Sequence, residues 1–157
     1  MSAGSKSGHS GASSKTWTDA QCPVGRGADL LGDKWSLLIV RDALDGARSF
    51  TDFQRSLGVA KNILSARLRR LVADGILRQQ TAASGRRQEY VLTDAGEELF
   101  TLIVALRQWG ERHAFAPHEP HSVLIDDSTG LPIPALRVTG SDGTALTARN
   151  THVQKVP

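Results

Sequence analysis

The sequence predicts an α+β fold that is mostly helical, and three observations predict it. Apolar residues recur at helical spacing in a succession of short runs, each stopped by a glycine at position 32, 46, 58 or 75. The pattern then changes period, and two short strand-like runs flank the loop Ser84-Gly85-Arg86-Arg87. Positive charge is also segregated. Between Arg55 and Arg87 stand eight bases (Arg55, Lys61, Arg67, Arg69, Arg70, Arg78, Arg86, Arg87) and one acid, Asp74, a local charge of +7. The rest of the 157-residue chain carries −4, although the whole carries only +3. Such segregation is the footprint of a face that meets a polyanion. An exposed arginine side on one helix accounts for Arg67 to Arg70, but not for Arg86 and Arg87 in a separate element.

The elements follow in order. Residues 1–16 are mostly Ser, Gly, Ala and Lys, and are expected to form a disordered tail. A folded unit is expected over 17–116 and a small β-hairpin extension over 117–157. Cys22-Pro23 suits the start of a helix running to Leu31, because the fixed φ of proline is tolerated in a first turn. Asp33 caps the next helix, in which Trp35, Leu38, Ile39 and Ala43 recur. Trp35 and Phe53 are core candidates by periodicity, with Trp35 alternatively lining an effector pocket. Thr51-Asp52-Phe53-Gln54 fits a capping box opening a short helix to Leu57. Lys61–Asp74 follows as a helix with Leu64, Leu68, Leu71 and Val72 on one stripe.

Leu77–Thr81 and Glu89–Leu92 read as paired strands. Thr93 is expected to cap a single long helix reaching His113, with Asp94, Glu97 and Glu98 at its positive end. Its apolar side is Leu99, Leu102, Ile103, Leu106 and Trp109. Beyond Pro117, Val123–Ile125 and Leu136–Val138 are punctuated by Gly130-Leu131-Pro132 and Asp142-Gly143, which predicts one or two hairpins.

Two short helices joined by a tight turn and followed by a basic-tipped ribbon make a winged helix-turn-helix with a long C-terminal dimerisation helix and a small β appendage. At about 100° per residue from Lys61, the stripe of Leu64, Leu68 and Leu71 centres near about 300°. Asn62, Ser65, Ala66 and Arg69 fall on the other side, with Arg70 beside them and Lys61 at the N-terminal end. Arginine pairs bidentately with guanine, asparagine with adenine, and serine with either. Lys61, Asn62, Ser65, Arg69 and Arg70 are therefore the candidate base readers, with Arg86 and Arg87 reaching phosphates or a minor groove.

Such modules usually dimerise on two half-sites, so double-stranded DNA with a palindromic operator is the expected partner. Leu102, Leu106 and Trp109 are positioned to meet Leu30 and Leu31 of a second subunit, or to cover the same residues within one chain.

The runs Cys22-Pro23-Val24, Leu31-Gly32-Asp33-Lys34-Trp35, Arg48-Ser49-Phe50-Thr51-Asp52-Phe53, Leu64-Ser65-Ala66-Arg67-Leu68 and Tyr90-Val91-Leu92-Thr93-Asp94-Ala95-Gly96 resemble the HxlR-type bacterial transcription regulators. The resemblance spans roughly Cys22 to His113. It implies a homodimeric winged-helix DNA binder that represses or activates nearby genes, with the helix from Lys61 as reader. Many relatives carry a capping serine where this chain has Ala60, and many lack residues 121–157. In several relatives a cysteine at the position of Cys22 senses oxidants or electrophiles.

Cys22 itself is a candidate redox sensor, because a helix N-terminus favours the thiolate and Arg26 lies one turn on. Oxidation would give a sulfenic acid, a mixed disulfide or an intersubunit disulfide. The competing reading is a cysteine that simply packs the first helix.

His113, His118 and His121 with Asp126 and Asp127 straddle two prolines in a loop and do not share a helix face, which disfavours a metal site. No nucleophile elbow, dinucleotide fingerprint or phosphate loop is present, so neither catalysis nor a cofactor is expected. With no secretory signal and no membrane-length apolar run, the chain reads as cytoplasmic. The leading function is a sequence-specific duplex-DNA regulator, expected to act as a homodimeric repressor. The alternatives are a winged-helix protein-interaction module and a sensor of oxidants or small-molecule effectors.

Overall fold

The computed structural model describes residues 15–157, so most of the expected N-terminal tail lies outside the described residues. Six helices and two small antiparallel sheets follow in order among these residues: α1 Pro23–Leu31, α2 Lys34–Leu44, α3 Phe50–Leu57, α4 Lys61–Ala73, β1 Leu77–Thr81, β2 Gln88–Leu92, α5 Asp94–Glu97, α6 Phe100–His113, β3 Ile125–Asp126 and β4 Leu131–Pro132.

The helix ends are local chemistry. Asp33 accepts from the Ser36 backbone N–H at 3.0 Å and its hydroxyl at 2.5 Å, which starts α2. At α3 the capping box sits two residues earlier than Thr51 suggested. Ser49 Oγ accepts from the Asp52 N–H at 3.1 Å while the Asp52 carboxylate accepts from the Ser49 N–H at 3.0 Å. An aspartate three residues after a serine does the same work as the threonine–glutamine pair, so two registers competed in the sequence. Gly58 and Gly75, with φ of 60° and 73°, close α3 and α4 in the left-handed region.

Ile39, Val40, Phe53, Leu64, Leu68, Leu71 and Leu77 form the heart of the core, joined by Leu31, Val59 and Ile76. Phe53 is fully buried and meets Tyr90 edge-on at 6.5 Å, whereas Trp35 is only half-buried beside the cluster. Leu31 is buried in this chain's core and Leu30 is partly buried against it. The ribbon pairs Leu77 with Leu92 through Thr81 with Gln88, and the Tyr90 N–H donates to Arg48 O on its other edge.

The single long helix expected from Thr93 is two. Thr93 caps α5, with its hydroxyl donating to Gly75 O at 2.6 Å and accepting from the Gly96 N–H at 3.1 Å. This clamps the first turn to the end of the ribbon, and the chain turns at Glu98-Leu99 before α6 begins. Gly96 is buried at the clamp, where a Cβ would stand 2.3 Å from Ile76 O and 2.9 Å from Leu92 Cδ2. The buried residues of α6 are Val104 and Gln108, while Leu102, Leu106 and Trp109 stay about half exposed.

The extension forms two minimal hairpins. One pairs β3 with β4, and the other is a single bridge between Thr139 and Ala145, so Leu136–Val138 is not a strand. What holds the extension is α6. Gln108 donates to Pro134 O at 2.9 Å and accepts from the Leu136 N–H at 2.7 Å, pairing with backbone as a strand would. Arg107 Nη1 donates to Ser122 O at 3.1 Å and to its hydroxyl at 2.9 Å.

Gly96→Ala is expected to lower stability by about 1–3 kcal/mol, the usual cost of overpacking, because the obstructing atom is a backbone carbonyl. Thermal unfolding followed by circular dichroism measures it, and an unchanged midpoint would show that the α5 turn can shift freely.

Candidate nucleic-acid interface

The leucines of α4 face inward and leave an outer side for ligand. Leu64, Leu68 and Leu71 are fully buried, and burying one such side chain contributes roughly 1.5–3 kcal/mol. Ala60 supplies no side-chain cap to α4, a deficit of about 1 kcal/mol. The buried stripe outweighs the missing cap, and the helix starts at Lys61 regardless.

Two arginines then fix the roll of the helix. Arg67 Nε lies 3.2 Å from Asp33 Oδ1, joining α4 to the cap of α2. Arg70 Nη2 donates to Asp29 O of α1 at 2.8 Å, and its Nε lies 3.6 Å from Asp74. Asp74 also pairs with Lys15. Burial pushes the Asp33 carboxyl up, yet the hydrogen bonds from Ser36 and the Arg67 guanidinium outweigh it and hold the group below its ordinary value of 3.8.

With its back seated, α4 turns Lys61, Asn62, Ala66 and Arg69 to solvent, with Ser65 half-buried between them. Arg69 makes one long contact, Nε to Ser65 O at 3.4 Å, which leaves most of its fork free. Arg70, expected among the readers, is exposed and also contacts α1 and Asp74. The wing loop is closed by Ala82 N–H to Arg87 O and Gly85 N–H to Ala82 O, both 2.8 Å, with Gly85 at φ 69°. That turn holds Arg86 and Arg87 exposed at its tip. Arg78 belongs elsewhere, in a polar recess shared with Arg48, Gln80 and Glu97. Arg55, at the end of α3, keeps a side chain 75% exposed.

The charge count of the middle segment therefore mixes two roles. Arg67 and Arg70 are anchors, and the angular position of Arg67 gives the clue. At about 240° it borders the leucine stripe and does not oppose it.

The other candidates also have definite places. Cys22 Sγ is the N-cap of α1, accepting from the Gly25 N–H at 3.3 Å, and the residue is half-buried. Arg26, expected to support the thiolate, donates to Ala20 O at 2.8 Å and stacks on Trp17 at 5.0 Å. His113 lies against Trp109 and His121 against Phe115, and His118 sits at φ 65° in the connecting loop. Among the described residues no helix is long and apolar enough to cross a membrane.

Residues 30–118 match the HxlR-like helix-turn-helix family. The chain belongs to that family. An uncharacterised HTH-type transcriptional regulator of Mycobacterium tuberculosis is 38% identical over 135 residues, 85% of each chain. The crystal structure of PA1607, a candidate transcription factor, is 53% identical with a TM-score of 0.84, covering 86% of this chain and 95% of that one. The oxidised redox regulator HypR is 30% identical with a TM-score of 0.55, covering 60% of this chain and 100% of its own. The winged-helix α+β fold is thus that of the HTH-type transcription regulators, a family of DNA-binding regulators.

Asp33→Asn keeps a capping acceptor but removes the charge that Arg67 meets. Because the folded carboxyl is depressed, its contribution is full above the unfolded value of 3.8 and is lost as pH falls through the lower folded value. Urea titrations should show the variant less stable by up to about 1 kcal/mol at neutral pH, given the solvent screening at this site, with the gap closing in acid. A gap independent of pH would detach Arg67 from Asp33.

Proposed function

We propose that the protein is a homodimeric, sequence-specific duplex-DNA-binding regulator of the cytoplasm, acting as a repressor on a palindromic operator. The observation that carries this reading is the outer face of α4, where Lys61, Asn62, Ser65 and Arg69 present donors and acceptors from a helix whose back and roll are locked. Small side chains beside an arginine permit close approach to base edges in a major groove. The N-cap of α4 brings no side-chain acceptor, so its first backbone N–H groups are open to a phosphate. Arg86 and Arg87 supply backbone contacts on the flank, where they set register without reading sequence. Arg70, tied to α1, serves to orient the reader.

The dimer reading rests on α6. Leu102, Leu106 and Trp109 are 45%, 48% and 56% exposed on one side of that helix, and an apolar stripe of this kind is what a symmetric helix pair covers. With Leu30 and Leu31 used internally, the facing surface is the same stripe of the second copy.

A redox reading is favoured by the placement of Cys22 at the N-cap of α1 and by the likeness to the redox regulator HypR. It requires an oxidant to change duplex affinity in wild type but not in Cys22→Ser.

Genomic fragments selected by the protein provide the cognate site. Arg69→Ala is expected to cost about 1–3 kcal/mol there and to relax base preference, while barely changing affinity for random duplex. Arg86→Ala should weaken both duplexes alike and flatten the salt slope by about 1. Equal losses on both duplexes for Arg69→Ala would refute the assignment of α4 as reader.

Leu102→Glu and Trp109→Glu are each expected to convert a dimer into a monomer in sedimentation equilibrium. Wild-type association in both variants would move the interface away from α6.

A further inference from the structure

A cavity of about 220 Å³, open on one side, lies between α2, α6 and the extension. Its apolar wall comes from Leu37 and Leu38 of α2, Ile103 and Leu106 of α6, and Phe115 beyond it. The polar groups on it are Arg41, Arg107, Glu111, His121 and Ser122, two fixed positive charges against one negative. Arg41 is already neutralised by Asp42 at 2.6 Å. Arg107 has its carboxylate, Glu111, only at 3.9 Å, and spends one nitrogen on Ser122. The remainder of its guanidinium fork is available to an anion.

A second observation is independent of the cavity's shape. Gly110 lies within α6, on the cavity wall, where a Cβ would meet nothing within 4 Å. Glycine inside a helix costs about 1 kcal/mol relative to alanine, and here no neighbouring atom in the chain requires it. What the glycine preserves is open volume. The cavity is also partly walled by His121 and Ser122, which lie beyond residue 118, where the family match ends.

We infer that this cavity is a binding site for a one-ring organic carboxylate, with the ring between α2 and α6 and the carboxylate on Arg107. The size fits: an apolar cavity of about 150 Å³ holds benzene, and the extra volume accommodates one small substituent. An uncharged apolar ligand would leave Arg107 unused, and a small inorganic anion would leave the leucine wall unfilled. Because α2 belongs to the reading head and α6 lies outside it, an occupant joins the two. The site shares Leu106 with the proposed dimer stripe, and its use in regulation rests on the DNA-binding reading above.

The test uses the full chain without DNA, titrated calorimetrically with benzoate, benzamide and acetate. Benzoate is expected to bind, benzamide to bind about tenfold or more weakly for want of the charge-assisted contact, and acetate not to bind. Gly110→Leu, which fills the space, should abolish benzoate binding while leaving the dimer intact. Leu38→Phe should weaken it by the same route if Gly110→Leu does not fold. Arg107→Gln should bring benzoate down to the level of benzamide. Absence of benzoate binding, equal binding by benzamide, or wild-type binding in a folded, filled variant would overturn the proposal. So would a Gly110→Leu protein that keeps benzoate binding but loses its dimer, since the glycine would then serve close approach by the partner. A failure to bind duplex DNA leaves all these readings interpretable and strikes only the regulator reading.

Discussion

The arrangement of the proposed DNA-reading face depends on how α4 is seated. Three fully buried leucines supply most of the energy, each about 1.5–3 kcal/mol, but a leucine stripe alone tolerates some rotation about the helix axis. The roll is set by contacts at two places, an ion pair from Arg67 to the carboxylate that caps α2 and a hydrogen bond from Arg70 to a carbonyl of α1. Exposed ion pairs contribute at most about 1 kcal/mol each, so these arginines add little stability. Their value is geometric. They tie the reading helix to both preceding helices, and a rotation that displaced Arg69 would have to break contacts on each side of it.

That division explains what was legible in the sequence. Glycine stops, the Asp33 cap and the leucine spacing are local signals, and α1, α2 and α4 begin where they indicate. The first helix, the ribbon and the exposed basic tip were equally readable. One miss is a local choice between two caps, and the others lie where a distant partner decides. Ser49 and Thr51 offered two capping registers, and the one with a reciprocal aspartate prevailed. The break between α5 and α6 comes from Thr93 reaching Gly75 and from Gly96 lying under Ile76 O, contacts that span seventeen or more residues. The contact of Arg70 with α1 was not legible, because helix angle reports direction from its own axis and says nothing of α1 lying alongside.

The same limit applies to α6. Its sequence shows one broad apolar side, but the structure divides the helix among three neighbours. Ile103 packs toward the core, Val104 and Gln108 are covered, and Leu102, Leu106 and Trp109 are left at the surface. Gln108 carried no apolar signal, yet it is more deeply buried than any of those three. Its amide does for the extension what a neighbouring strand would do, giving and accepting one backbone hydrogen bond each.

This makes the extension more than an appendage with hairpins. Two-residue strands and a single bridge cannot hold 41 residues in place without an anchor, since isolated hairpins are marginal in water. The anchor is the side of α6 that faces neither the core nor the exposed stripe. A dimer built on Leu102, Leu106 and Trp109 is therefore compatible with a docked extension, because the two use different sides of one helix. It follows that α6 is mechanically connected to the first four helices through Ile103 and α2, to the extension through Arg107 and Gln108, and, in the proposed dimer, to a second copy through its remaining face. A change in how α6 lies on α2 would be felt by all three, and the cavity between them is where a small occupant has the most leverage for its size.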